Sequence, residues 1–249
     1  VPHAVGEVPF RADLARSRRL FAAFRREQSD PEYCYVTLGR DTVALMSQYV
    51  DLTGAAVVDI GGGAGYFAEA MRERGASVVC VDVDAGEMSA RGGKLPERAI
   101  IGSAMALPLS DGCADVAFSS NVLEHVPDPF AMADEMLRVT RPGGMMFLAF
   151  TNWLSPWGGH ETSPWHYLGG ERAARRYHRR TGHEPKNRYG ASLFPVSVGA
   201  ALRWARGQWG AELVDFRPRY LPGWARRVVA LPGLREFVTW NLVLVLRKR

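Results

Sequence analysis

The sequence predicts an α/β fold in which a mainly parallel sheet is covered by helices on both faces. Two observations predict it. Short apolar runs recur through the first 151 residues, and stretches with helical spacing separate them. The runs are apolar at nearly every position rather than at alternate ones, as strands buried on both faces require.

The elements follow in order. Residues 10–28 place Leu14, Leu20, Phe21 and Phe24 at helical spacing, and Asp30-Pro31 breaks that helix. A second helical stretch runs from Asp41 to Tyr49. Then AAVVDI (55–60) reads as a strand, Tyr66 to Arg74 as a helix stopped by Gly75, and SVVCVDV (77–83) as the next strand. Ala99–Ile101 and ADVAFSS (114–120) continue the series. Pro129 to Thr140 is a helix with Asp128 placed to cap it. Residues 141–144 (RPGG) form a turn before the strand MMFLAFT (145–151).

The regularity stops after Thr151. Residues 152–196, rich in Trp, Gly, His and Tyr, are too long for an ordinary connection and predict a functional cap. Ser197 caps a helix running to Arg206, and AELVDFRPRY (211–220) and NLVLVLR (241–247) close the sheet, the last strand antiparallel. Three regions result: a helical lid (1–50), a core (51–151), and a cap with the last helix and closing strands of the same domain (152–249).

Composition bounds the function. At 249 residues, 47% hydrophobic and 23% charged, the chain is an ordinary globular one. No apolar run approaches the ~20 residues that span a bilayer. The start shows no basic-then-apolar leader, so a cytoplasmic location is expected. Cys34, Cys80 and Cys113 are widely spaced and form no CxxC pair; buried free thiols are expected. The net charge is +5, and residues 1–30 and 170–249 carry most of the arginine. Such a surface invites an anionic partner, but the chain has no RNA-binding module or zinc motif, so a nucleic-acid substrate is not expected. A monomer or homodimer is expected.

The chemistry concentrates in VVDIGGGAG (57–65). A strand ends at Asp59; Gly61, Gly62, Gly63 and Gly65 then let the backbone turn tightly and approach a ligand closely. The next strand ends in Asp82, which can accept both hydroxyl protons of a ribose. Loop, helix and distal acid describe a nucleoside-cofactor site. Asp59 argues against a dinucleotide, because it would repel a pyrophosphate, while it suits the ammonium of an amino-acid cofactor. A nicotinamide-dependent oxidoreductase and a non-catalytic cofactor-binding protein are the rival classes.

Four segments carry a resemblance: VVDIGGGAGYFAEAM, VVCVDVDAGEM, GSAMALPLSDGCADVAFSSNVLEHVPDP and RVTRPGGMMFLAFTN. Over residues 35–151 the chain resembles the class I S-adenosylmethionine-dependent methyltransferases of the ubiquinone/menaquinone-biosynthesis type. The resemblance implies a Rossmann-like seven-stranded sheet and S-adenosyl-L-methionine as cofactor. It implies that Asp59 and Gly61 to Gly65 hold the methionine part, that Asp82 binds the ribose, and that Val83 packs on adenine. Ala104 and Met105 would flank the adenine edge, and Asn121 would lie beside the methionyl group. Ser103 stands where the family usually has an acid, so its hydroxyl would accept the adenine amino hydrogen without charge assistance.

SNVLEHVPDP (120–129) resembles the ubiquinone O-methyltransferases, some of which hold a divalent metal through two acids and a His. Glu124 and His125 match the last two ligands; Asn121 replaces the first, which puts the metal in question. A hydroxyl acceptor needs a proton acceptor. His160 is the first candidate and His166 the second, both in the cap. Tyr33, Tyr35, Trp153, Trp157, Trp165 and Tyr167 are candidates to line an acceptor pocket or to form the cap core. The expected activity is O-methylation of a small-molecule or lipid-linked acceptor, with C- or N-methylation of a quinone-like or natural-product acceptor as the alternative. Residues 221–239 mix large apolar side chains with arginines, a composition of either a packed crossover or a segment in peripheral contact with an anionic membrane.

Overall fold

A computed structural model of the chain describes residues 10–27 and 29–249, so the first nine positions of the expected lid and Gln28 lie outside the described residues. One seven-stranded sheet runs in the order β3-β2-β1-β4-β5-β7-β6. Its strands are β1 (Ala56–Ile60), β2 (Ser77–Asp82), β3 (Ala99–Ile101), β4 (Ala114–Ser120), β5 (Thr140–Thr151), β6 (Ala211–Pro218) and β7 (Asn241–Lys248). The first five are parallel, and β7 inserts antiparallel between β5 and β6. Chain order reverses between β1 and β4, and ligands of open α/β sheets bind at such a point, outside the carboxyl ends of the strands.

Two apolar layers cover the sheet. One packs Leu38, Met46, Met71 and Phe118, bringing α1 (Leu14–Phe24), α2 (Pro31–Met46) and α3 (Tyr66–Arg72) onto one face. The other packs Ile60, Met132, Met136 and Leu202 under α5 (Pro129–Val139) and α7 (Val198–Gly207). The four-residue α4 (Ala85–Met88) follows β2, capped by Asp84.

Several boundaries differ from those the sequence predicts, for local reasons. Asp30-Pro31 ends one helix and also begins the next: the Asp30 side chain accepts from Tyr33 N, and Pro31 occupies the first turn. The second helix therefore starts ten residues before Asp41. The RPGG turn is absorbed into β5, where it bulges: Ala114 pairs with Thr140, but Val116 pairs with Met145. Cys34 and Cys80 are buried free thiols, whereas Cys113 is exposed in the turn before β4.

The cap is a set of short turns followed by α6 (Gly170–Thr181). The carboxylate of Glu161 ties it together by accepting from both the backbone N and the side-chain Nδ2 of Asn187. The crossover at 221–240 holds α8 (Arg226–Val229) and α9 (Leu234–Val238). No helix among the described residues is long and apolar enough to cross a membrane.

Candidate cofactor and acceptor site

The carboxyl ends of β1, β2, β3 and β4 bring the predicted cofactor residues to one sheet edge. Gly61, Gly63 and Gly65 all have positive φ, the last as the left-handed residue that opens α3. A Cβ at Gly61 would run into the Val122 side chain, so glycine is needed there for close packing as well as for φ. Above Gly63 the situation is reversed: a Cβ would meet nothing within 4 Å, leaving open space over the loop.

Asp82 is joined to this loop. One carboxylate oxygen accepts from Gly63 N (3.0 Å), and the other from Asp84 N (3.0 Å). Gly102 N donates to Asp82 O, which draws in the 102–106 turn. Within that turn Ser103 Oγ accepts from Met105 N (3.2 Å), and Ala104 and Met105 are half-buried. Val83 stands 74% exposed beside Asp82. Asn121 has φ 59°, donates its N–H to Ala149 O, and accepts from Asn241 Nδ2 (2.7 Å). Asn241 and Tyr220, which also bonds Asn121, are contributions from the end of the chain that the glycine-loop motifs do not reveal.

Asp59 is the least compensated group at this edge. It is 1% exposed, and its Oδ2 has no hydrogen-bond partner. Burial, then the charge of Asp82, pushes its carboxyl up to about 7. A buried acid with a spare oxygen beneath a glycine loop and open space fits a ligand that carries an ammonium, so the residues present fit the expected cofactor.

A second cluster lies at the ends of β4 and β5. Glu124 Oε1 accepts from Thr151 N (2.8 Å), while its Oε2 is buried and unpaired. His125 fixes Nδ1 against Ser192 O (2.7 Å). His160 reaches this cluster from the cap, its ring centroid 5.0 Å from that of His125, with Nε2 buried and unpaired. It does so from a left-handed backbone (φ 49°), an uncommon conformation for a residue with a Cβ. Burial, then His125, pushes His160 down to about 4, and burial raises Glu124. His160 is therefore neutral at pH 7, with a lone pair to offer.

The ligating atoms of Glu124, His125 and His160 lie within 4.8 Å of one another. That set could hold a metal ion, though not in the arrangement expected from the sequence: Asn121 is bonded to Asn241, and His160 takes the third place. Two imidazoles and one carboxylate suit a borderline transition ion better than a hard cation.

The structure gives His166 another role. It is 1% exposed, with Nε2 against Ser155 O (3.1 Å) and Nδ1 facing Ser163 Oγ (3.4 Å). With both nitrogens engaged inside the cap, it is an anchor with no nitrogen turned to an acceptor. The six aromatic candidates are likewise not brought into one pocket. Tyr35 stacks on Tyr66, Trp153 packs on His166 and Tyr189, and Trp157 meets Phe24 and Trp240.

A doubly covered sheet with an antiparallel seventh strand and a glycine loop after β1 defines the class I methyltransferase fold. Residues 58–148 match the family described as a methyltransferase domain. An uncharacterized methyltransferase of Mycobacteroides abscessus is 51% identical over 251 residues, covering 96% of this chain and 96% of its own length. One from Mycolicibacterium gilvum is 51% identical, with 95% and 96% covered. The chain belongs to this methyltransferase family. Among solved structures, an S-adenosylmethionine dependent methyltransferase from Mesorhizobium loti shares the fold at a TM-score of 0.58 and 20% identity, covering 84% of this chain and 98% of that one. The cyclase SpnF shares it at a TM-score of 0.52 and 18% identity, covering 84% and 81%, so the fold by itself does not dictate one reaction.

Proposed function

We propose that this enzyme transfers a methyl group from S-adenosyl-L-methionine to a hydroxyl of a small-molecule or lipid-linked acceptor. The observation that carries the cofactor reading is the unpaired buried Asp59 Oδ2 beneath the glycine loop. Asp59 answers the ammonium, the 61–65 loop shapes the methionyl space, and Asp82 takes the ribose hydroxyls. Val83, already exposed at the edge, covers one adenine face, and Ser103 to Met105 line its rim. Asn121 stands beside the methionyl group.

The bound cofactor supplies an electrophilic methyl on a sulfonium, so the protein's task is alignment and a water-poor pocket. The cap supplies the roof of that pocket. The acceptor oxygen forms the new O–CH3 bond, and the S–CH3 electron pair stays on sulfur. His160 Nε2 receives the hydroxyl proton, being neutral and unpaired. The neutral, unpaired His160 beside the β4 and β5 ends favours an acceptor that must lose a proton, such as a hydroxyl, over an amine that is already nucleophilic.

The test is calorimetry with S-adenosylhomocysteine, followed by an acceptor screen read as methyl incorporation from labelled cofactor. Absence of binding by the folded wild-type protein overturns the cofactor site. Turnover confined to carbon or amine acceptors overturns the hydroxyl reading. We place the enzyme in the cytoplasm.

A further inference from the structure

Three segments distant in sequence meet on one side of the molecule. The crossover at 221–240 packs Ala225 and Val229 inward, while Trp224 (72%), Leu231 (51%), Leu234 (48%) and Phe237 (50%) stand exposed. Helix α1 joins it: Gly223 N donates to Ala12 O (2.6 Å), and the Phe21 ring lies 5.8 Å from that of Trp240. The cap joins it through Tyr167, whose ring is 6.3 Å from Phe237. Single exposed apolar residues are ordinary, but large side chains contiguous across several elements mark an interaction surface.

Arginine dominates the charge on this side. On α1 the positions Leu14, Arg18, Phe21 and Arg25 follow helical spacing, and all four are exposed. Arg227 is exposed as well, and Arg19, also exposed, lies 3.9 Å from the Asp41 carboxylate. Segments 10–26 and 221–240 contain two acids, Asp13 and Glu236. Asp13 is exposed but caps α1 through Arg16 N, and Glu236 accepts from Val198 N and Gly199 N at the start of α7 and pairs with Arg235.

We propose that this face docks on an anionic lipid bilayer. Tryptophan and tyrosine favour the boundary between headgroup and acyl chain, and arginines around them are drawn to anionic headgroups. A second copy of the chain fits less well, because an isologous contact would set the same arginines against each other. Lipid phosphates answer those charges. The inference stands apart from the methyl-transfer reading, since it uses none of the site residues.

The test is co-sedimentation of the full chain with vesicles of phosphatidylcholine containing phosphatidylglycerol, against vesicles of phosphatidylcholine alone. Binding is expected to the anionic vesicles at low salt, with little to the neutral ones, and with substantial release at about 0.5 M NaCl, where surface charges are screened. Trp224→Ser with Phe237→Ser, and separately Arg18→Glu with Arg227→Glu, should each lower the partition coefficient at least about tenfold. Thermal melting identifies folded variants; Trp224→Ser alone, at a site 72% exposed, serves if a double variant does not fold. No binding to anionic vesicles at low salt overturns the proposal. So does undiminished binding by the folded variants. A concentration-dependent dimer in ultracentrifugation that Trp224→Ser dissolves also overturns it, assigning the face to a second copy.

Discussion

At the residue scale, Asp59 links stability and cofactor affinity to pH. Its carboxyl is raised from 3.8 to about 7, so between those values the folded state binds a proton that the unfolded state has lost. The contribution to stability is therefore full below about pH 4 and falls as pH rises, by about 4 kcal/mol in all once pH passes about 7. His160, lowered from 6.5 to about 4, has the opposite sign between those values, so the Asp59 effect is read as a difference between variants. Asp59→Asn should melt higher than wild type at pH 8, with the gap closing towards pH 5. Pairing with an ammonium needs the ionised carboxylate. Affinity for S-adenosylhomocysteine should thus rise roughly 20-fold from about pH 5.5 to about pH 7.5 in wild type, and much less in Asp59→Asn. A flat calorimetric profile would remove Asp59 from the ammonium's partners.

Three other residue-level outcomes complement this. Asp82→Ala should cost at least about tenfold in S-adenosylhomocysteine affinity, since it removes the ribose acceptor and the anchor of Gly63 N. Gly63→Val should abolish binding, through the left-handed φ of 46° and by filling the open space above the loop. His160→Ala should lower turnover roughly 10²–10⁴-fold with cofactor affinity nearly unchanged. A variant that turns over normally would take the proton-acceptor role from His160.

At the scale of elements, side chains from remote segments hold the helices and the cap in place. The N-terminus of α7 is satisfied twice, by Ser197 Oγ on Ala200 N and by the Glu236 carboxylate on Val198 N and Gly199 N. Glu236→Ala should cost about 1–2 kcal/mol, and lower the melting temperature by about 2–8 °C in a chain of this size. Calorimetric melting of that single variant is sufficient, and an unchanged melting temperature would show that Ser197 alone caps the helix. The cap is fastened at its base by Asn152, whose Nδ2 donates to the carbonyls of Glu236 and Thr239. The cap and the crossover thus share supports.

At the scale of the whole molecule, all seven strands are legible in the sequence, because buried strands, the five parallel ones and the antiparallel β7 alike, leave dense local apolar signals bounded by turns. The glycine loop and Asp82 are legible for the same reason: chemistry and backbone geometry coincide within a few residues. The cluster of Glu124, His125 and His160 is only half legible. The first two are adjacent in sequence, but His160 joins them through the path of an irregular cap, which no periodicity encodes. The same limit applies to Asn241 and Tyr220, which reach Asn121 across about a hundred residues. His166 resembles His160 as a letter in the sequence and differs in its hydrogen bonds. The helix at 31–46 was obscured by the chemistry of a single dipeptide, since Asp-Pro serves equally to stop one helix and to start another.

The place of β7 has a further consequence for biosynthesis. This strand is made after every other strand of the sheet, yet it lies between two of them, and Leu242 to Leu246 are buried. A ribosome that has translated β6 holds a nascent chain whose β5 and β6 have no common neighbour. Both present open edges that can pair with other chains. The sheet closes only after residues 241–248 clear the exit tunnel, so assembly of this half trails synthesis and exposes it to chaperones in the interval. Nascent chains stalled with β6 outside the tunnel and β7 still inside it should be protease-sensitive and aggregation-prone, and an added linker long enough to bring β7 out should rescue both properties together.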